Sequence, residues 1–266
     1  MATEGWRGWD DYAPFYDWEN ARTMGRQDVR FWQDLVRREG GPALELGCGT
    51  GRVTMPAART GVPIVGIDRS APMLAYARER VRRLPVRQRP GLVRGDIRSL
   101  PFPDRAFAAV MAPYGILQSL TKDADLAATL GEAARVLTRG GTFGVDLVPD
   151  LPAWDEYQNT VRLRGRAGRA AGADGRRVAG PHVTLVESVR QDRRRKLTIF
   201  DQEYTERRGS RTRTHRFSLT FRTLPLADMA SRIEDAGFRV TALLGDYRGR
   251  AWDLRADVWL VLATRR

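Results

Sequence analysis

The stretch Leu46-Gly47-Cys48-Gly49-Thr50-Gly51-Arg52 does most to decide what this chain can fold into. Three glycines fall within five residues, directly after the apolar run "PALEL". Glycine alone tolerates the positive φ of a sharp turn and lets a ligand approach the backbone where a Cβ would clash. A helix opening beyond such a turn presents unpaired N–H groups to a polar or anionic ligand. The segment therefore reads as a strand, a ligand-cradling turn and a helix; a tight turn with no ligand is the plainer alternative.

Downstream of the turn the same rhythm repeats. "PIVGID" reads as a second strand, "APMLAYARERVRRL" as a helix with Pro72 in its first turn, and "GLVRGD" as a third strand. "AFAAVMAP" is a fourth strand, "DADLAATLGEAARVL" a helix and "GTFGVDLV" a fifth strand. This β-α-β-α order predicts a parallel sheet with helices on both faces. Upstream, "DVRFWQDLVRREGG" places Val29, Phe31, Trp32, Leu35 and Val36 at helical spacing, with Asp28 to cap the start and Gly40-Gly41 to stop it. "RVTMPAART" reads as a helix kinked near Pro56. From about residue 160 the texture changes to β-branched alternation broken by charged turns, which predicts antiparallel strands joined by hairpins. "LADMASRIEDAGF" returns as a helix, and "RVTALLGDY" and "ADVWLVLATRR" as two last strands. "RGRAGRAAGADGRR" (164–177) is the one low-complexity piece and reads as a loop.

At 266 residues and 42% hydrophobic, the chain can bury a sizeable core. Its formal charge of +13 is carried by 43 arginines and only two lysines, Lys122 and Lys196, a choice that suits a coding bias better than a demand at each site. Residues 160–216 hold a balance of +10, and the other 209 residues only +3. The charge thus sits on the antiparallel region, where arginines serve a solvated surface, an anionic substrate or RNA; "RRRK" (193–196) falls where a hairpin turn is expected, which favours solvation. A single cysteine, Cys48, excludes an internal disulfide and a cysteine-built zinc site, and two histidines argue against a metal centre. The aromatic, acidic start has no apolar signal core, and no apolar run approaches the ~18–20 residues of a membrane span, so the expected location is cytoplasmic, away from membranes.

Counting G-x-G-x-x-G from Gly47 puts Arg52 where a dinucleotide fingerprint needs its last glycine. Asp68, at the end of strand two, suits ribose hydroxyls in either a dinucleotide or another adenosine ligand. The ordered pieces "LELGCGTGR", "VGIDRSAPMLAYAR", "GDIRSLP", "AFAAVMAPYGILQSL" and "EAARVLTRGGTFGVDL" together resemble the class I S-adenosylmethionine-dependent methyltransferases, specifically their small-molecule N-methyltransferase-like branch. The resemblance covers the chain apart from the N-terminus and the insertion. It implies an α/β fold: a Rossmann-like seven-stranded sheet, mostly parallel with an antiparallel last strand, plus an antiparallel β insertion after strand five. The implied division is an N-terminal arm over 1–40, a cofactor-binding core over 41–150 and 224–266, and the insertion over 151–223, serving as a substrate roof or a homodimer interface.

The resemblance implies S-adenosylmethionine as cofactor, with Glu45, Gly47, Cys48, Gly49 and Gly51 around its methionine part. Asp68 would hold the ribose, Arg69 and Met73 would lie beside the adenosine, Asp96 and Ile97 would recognise the adenine, and Ala112 would be among the cofactor-binding residues. Met73 reads equally well as plain core, and Asp96 as a strand-end turn residue. Tyr12, Tyr16 and Trp18 are candidates for a lid, or for an arm packed on the sheet, and Arg26 for the cofactor carboxylate, or for a solvated helix start. Strand four departs from the family pattern: Phe107-Ala108-Ala109-Val110 lacks the frequent acid, and Ala112-Pro113-Tyr114-Gly115 is neither N-P-P-Y nor a Pro-Cys nucleophile site. With Cys48 committed to the loop, cysteine-dependent methylation of pyrimidine C5 is excluded.

A sulfonium methyl is already activated, so the expected work of the protein is alignment and exclusion of water. Tyr114 is the first candidate to face the transferred methyl, and Tyr16 is a second catalytic candidate; His215 is a candidate base for an oxygen nucleophile, against the reading of an ordinary strand histidine. Asp146 and Tyr204 are weaker candidates. The expected reaction is methyl transfer to a small molecule, amine favoured over hydroxyl, the acceptor carrying an anionic group if the insertion arginines face it. The rivals are an RNA methyltransferase standing on the basic insertion and a non-catalytic cofactor-binding regulator.

Overall fold

The computed structural model describes residues 7–23, 27–148, 155–168, 170–171, 177–178, 180–256 and 258–266. Two helices, α1 (Trp9–Thr23) and α2 (Gln27–Glu39), precede the glycine turn. The βα alternation then runs β1 (Ala43–Leu46), α3 (Thr54–Ala58), β2 (Ile64–Asp68), α4 (Ala71–Arg82), β3 (Gly91–Arg94), β4 (Phe107–Ala112), α5 (Asp123–Val136) and β5 (Leu137–Leu147). The chain continues through β6 (Tyr157–Arg166), β7 (Ala170–Ala171), β8 (Arg177–Val178), β9 (His182–Asp192), β10 (Leu197–Arg208) and β11 (Arg211–Arg222). It returns through α6 (Leu226–Asp235), β12 (Phe238–Leu244) and β13 (Trp259–Arg265).

Seven strands form one sheet in the order β12-β13-β5-β4-β1-β2-β3. All the pairings from β5 to β3 are parallel, and β13, the last strand, runs antiparallel to both its neighbours, as expected. Period-two alternation sends side chains to two cores. Val110 and Ala112 of β4 join Leu126, Leu130 and Ala133 of α5 and Met229 and Ile233 of α6 on one face. Ala109 and Met111 join Trp32, Leu35 and Val36 of α2 on the other. After β1 the chain moves outward through β2 and β3, then returns to the opposite side of β1 with β4. Strand order reverses there, and the carboxyl ends of β1 and β4 bound the crevice in which such sheets take ligands.

The region after β5 forms a second, four-stranded antiparallel sheet, β11-β10-β9-β6, and "RRRK" is the turn between β9 and β10. One stretch carried no expected element, and two expectations need correction. The aromatic N-terminal stretch is helical: α1 buries Tyr12, Ala13, Phe15, Tyr16, Trp18 and polar Asn20 and exposes Pro14 and Ala21 beside Asp10, so no clean apolar stripe marks it in the sequence. "RVTMPAART" contains only the single helical turn of α3, with Pro56 inside it. The segment 164–177 is in part strand: Arg164–Arg166 end β6, and β7 pairs with β8; residues 169 and 172–176 lie outside the described residues. Among the described residues no helix is long and apolar enough to cross a membrane, and no group of three His, Cys, Asp or Glu side chains is placed to hold a metal ion.

Candidate active site

A cavity of about 840 Å³ occupies the crevice at the carboxyl ends of the parallel strands. Gly47, Cys48 and Gly49 form its floor, and all three glycines of the turn have the left-handed φ that the sequence pattern demands (64°, 52° and 78° at Gly47, Gly49 and Gly51). A Cβ built on Gly49 would meet only the Met73 sulfur, at 3.9 Å, so the backbone here faces open space. At Gly51 a Cβ would run into Met55 at 2.5 Å; this glycine does not line the cavity, and its smallness serves the packing of α3 against the turn.

Asp68 closes the next wall. One carboxylate oxygen accepts from the Gly49 N–H and the other from the Ser70 N–H, both at 2.8 Å. Burial raises its pKa, and the Ser70 and Gly49 N–H groups oppose the rise. Ser70 caps α4 by accepting from the Met73 N–H, which turns the Met73 side chain into the cavity wall with 1% of its surface exposed. Met73 is therefore both core and lining. Arg69, Asp96 and Ile97 line the far end. The Asp96 carboxylate is held by the Arg98 guanidinium at 2.7 and 3.0 Å and by the Arg98 N–H at 2.9 Å, and Arg98 keeps its pKa below the usual range.

Glu45, at the end of β1, lines the same space while 3% exposed. It accepts a short hydrogen bond from the Thr54 hydroxyl, and burial pushes its pKa up to about 8. Beside it stands Arg52, which no sequence motif marks as a site residue. Its Nη2 pairs with buried Asp28 at 2.5 Å, and its guanidinium lies 5.4 Å from the Tyr114 ring centroid. Its Nε and Nη1 are buried without a hydrogen-bond acceptor in the protein. A buried guanidinium with unpaired donors beside a cavity has the chemistry to hold a carboxylate. This is the role expected of Arg26, which lies outside the described residues.

Tyr114 follows β4 in a strained left-handed conformation (φ 63°), and Gly115 follows in the same region (φ 61°). Asp146 holds this turn by accepting from the Gly115 N–H at 3.0 Å and from the Tyr247 hydroxyl at 2.7 Å. Burial pushes Asp146 up to about 6. Asp146 thus supports Tyr114 from behind and does not line the cavity. Tyr16 of α1 meets the Tyr114 ring edge-on at 6.0 Å between centroids, and both rings line the cavity. Burial raises both phenols, Tyr16 to about 12, so both are hydroxyl donors at neutral pH.

The helix α1 is tied over this wall by Asp17, which accepts from Thr50 of the glycine turn at 2.8 Å and pairs with Arg80 of α4 at 2.5 Å. Tyr12 and Trp18 of α1 pack on the second sheet and do not line the large cavity. Three further candidates fall outside it. Ala112 points into the core beneath the sheet with no exposed surface. His215 lies on β11, edge-on to Phe15 and 3.3 Å from Glu206, among the residues that pack the second sheet. Tyr204 is stacked between Phe15 and Phe217. None of the described arginines of 160–216 lines this cavity; Arg190 and Arg216 pair with Asp201 and Glu203 on the exposed face of the second sheet.

Residues 43–141 match a family described as a methyltransferase domain. A demethylmenaquinone methyltransferase of Lactiplantibacillus plantarum is 34% identical over 173 residues, covering 59% of this chain and 70% of that protein. The chain belongs to the class I S-adenosylmethionine-dependent methyltransferases. This methyltransferase spans about half the length of other curated relatives it matches, 52% of a ubiquinone/menaquinone C-methyltransferase of Geobacter sulfurreducens being one case. Solved methyltransferase structures share its fold from end to end. The CcbJ methyltransferase of Streptomyces caelestis superposes with a TM-score of 0.77 at 23% identity, covering 97% of both chains. The sugar N-methyltransferase KedS8 of Streptoalloteichus superposes with a TM-score of 0.71 at 17% identity, covering 96% of this chain and 92% of that one.

Proposed function

We propose that the protein transfers the methyl group of S-adenosylmethionine to an amine nitrogen of a small molecule. The observation that carries the cofactor half of this reading is the fit of the large cavity. Its floor is an open glycine turn, its walls hold a strand-end carboxylate, and buried Arg52 has two idle donors. Gly47 and Gly49 would lie along the methionine part, Arg52 would take its carboxylate, Asp68 the ribose, and Asp96 with Ile97 the adenine. Bound there, the cofactor supplies a sulfonium-activated methyl group.

The protein's own task is then positional. Tyr114 and Tyr16, rigid, mutually packed and protonated at neutral pH, orient an incoming nucleophile and exclude water. No described histidine lines the cavity, and the two tyrosines are poor bases, which favours an acceptor that needs little help in losing a proton. An amine needs only to arrive neutral, whereas a hydroxyl benefits from a base. The whole-chain likeness to a sugar N-methyltransferase supports the same preference, since it extends over α1 and the second sheet as well as the cofactor side. The curated quinone methyltransferases are matched over 52% to 70% of their length. The RNA alternative finds no support at the cavity, whose lining includes none of the described insertion arginines.

The test pairs binding with turnover. Calorimetry with S-adenosylmethionine should give saturable binding to one site; failure to bind refutes the cofactor assignment. With methyl-labelled cofactor and a panel of small amines beside their hydroxyl counterparts, label should appear on nitrogen. Label on oxygen or carbon would overturn the acceptor class and leave the cofactor half standing.

A further inference from the structure

Beside the large cavity lies a second, smaller recess of about 180 Å³, roofed by the antiparallel sheet and floored by α1. Trp9 and Tyr114 line both spaces, so the recess abuts the cofactor cavity across the two rings where an acceptor would meet the methyl group. Its walls are aromatic and aliphatic, with polar groups among them: two carboxylates, Glu19 and Glu187, two amides, Gln118 and Gln202, and the Arg222 guanidinium.

Each polar group is built in. Glu187 of β9 and Gln202 of β10 are directly opposite in the ladder and only 6% and 5% exposed. The Gln202 amide N–H donates to Glu187 Oε2 at 2.8 Å, and the Tyr157 hydroxyl donates a short bond to Oε1. Glu19 of α1 accepts on Oε2 from the Tyr12 hydroxyl at 2.8 Å and, in a short bond, from Tyr204. The donors around these carboxylates are therefore neutral hydroxyls and an amide. Two cations are near. Arg162, half exposed, stands 3.5 Å from Glu187, and Arg222 on the recess wall is committed to Asp123 at 2.6 Å. Gln202 Oε1 is buried and meets no donor in the protein. A buried carbonyl oxygen without a donor, on the wall of a space that already holds two carboxylates, calls for a ligand that donates hydrogen bonds and carries positive charge. Aromatic faces, here Phe200, Phe221 and Trp9, favour the same kind of ligand.

We infer that this recess is the acceptor subsite and that it selects a positively charged nitrogen group, with Glu19 and Glu187 sharing its charge and Gln202 Oε1 accepting one of its N–H bonds. The inference rests on the methyltransferase reading and names the acceptor as cationic. It departs from the anionic acceptor that the insertion arginines suggested, because among those described only Arg222 lines either space, and its guanidinium is committed to Asp123. Before transfer the nitrogen gives up its extra proton to the Glu19 or Glu187 carboxylate on the recess wall, so that it meets the methyl group neutral and with its lone pair free.

The experiment uses the full-length protein saturated with S-adenosylhomocysteine, which prevents turnover, and calorimetry with cyclohexylamine and cyclohexanol as matched probes. The amine should bind about tenfold tighter than the alcohol, the scale of one charge-assisted contact. Glu187→Gln and Glu19→Gln should each reduce that ratio to about threefold or less while leaving the S-adenosylhomocysteine affinity unchanged. Glu19→Gln retains an oxygen for Tyr12 and Tyr204, and so reports independently should Glu187→Gln fail to fold. Equal binding of the two probes, tighter binding of the alcohol, no binding of either, or a ratio indifferent to both substitutions overturns the subsite. Failure of the wild-type protein to bind S-adenosylhomocysteine refutes the cofactor assignment instead, so the two failures are distinct.

Discussion

Replacing Glu45 by glutamine should make the protein more resistant to denaturant as pH rises. Glu45 is 3% exposed at the end of β1, and its pKa is raised from 4.5 to about 8 chiefly by burial. A carboxyl that is protonated when folded but ionises readily when unfolded favours the unfolded chain increasingly as pH climbs from the lower value to the higher. Below pH 4.5 both states hold the proton; above pH 8 neither does, and the penalty levels off. At 1.36 kcal/mol per unit, its full size is about 5 kcal/mol, of which about 2 kcal/mol develops between pH 6 and pH 8. Glutamine keeps an oxygen for the Thr54 hydroxyl and carries no charge, so Glu45→Gln escapes the pH-dependent part. Urea unfolding at several pH values should show the midpoint difference, variant minus wild type, growing in the variant's favour by about 1 M from pH 6 to pH 8, given an m-value of about 2 kcal/mol/M. Midpoints that stay parallel across this range would refute the argument. They would show that the folded protein keeps Glu45 ionised.

Three other outcomes are expected. Gly49→Val sets a branched side chain in a left-handed position that faces the cavity, and should weaken S-adenosylmethionine binding at least ~100-fold by calorimetry, with a melting temperature showing whether the fold persists. Asp68→Asn retains an oxygen for the Gly49 N–H but loses the charge and one acceptor, so cofactor affinity should fall about tenfold with little change in stability. Arg52→Met strands the buried Asp28 carboxylate and should cost about 3–5 kcal/mol in chemical denaturation; the double substitution with Asp28→Asn should restore part of this but not cofactor affinity.

The cofactor side is legible in the sequence because its parts are local. The glycine turn, Asp68 and Met73 occupy set places at strand ends and helix starts, and backbone conformation alone limits which residues serve there. Arg52 is not legible as a site residue, since its meaning depends on Asp28, brought to it by the packing of α2 against α3. The helix α1 leaves no clean periodic signature because its buried residues face both the second sheet and the cavity, and Pro14 sits inside it. The acceptor recess is hidden more deeply. Glu19 and Glu187 are far apart in the chain, and the pairing of Glu187 with Gln202 depends on the register across the β9–β10 turn. His215 illustrates the converse: its residue type suits a base, but its strand directs it toward Phe15 and Glu206, away from both spaces.

Cys48 gives the glycine turn a further use. It is the single cysteine of the chain, 3% exposed, with its thiol pushed up by burial, and Gly66 of β2 leaves just enough room for it beside the turn. A thiol reagent can reach its sulfur only when the turn lifts from β2. The rate of alkylation under native conditions is then a clock for that opening, and its slowing at rising ligand concentration reads occupancy of the turn without any acceptor or turnover assay.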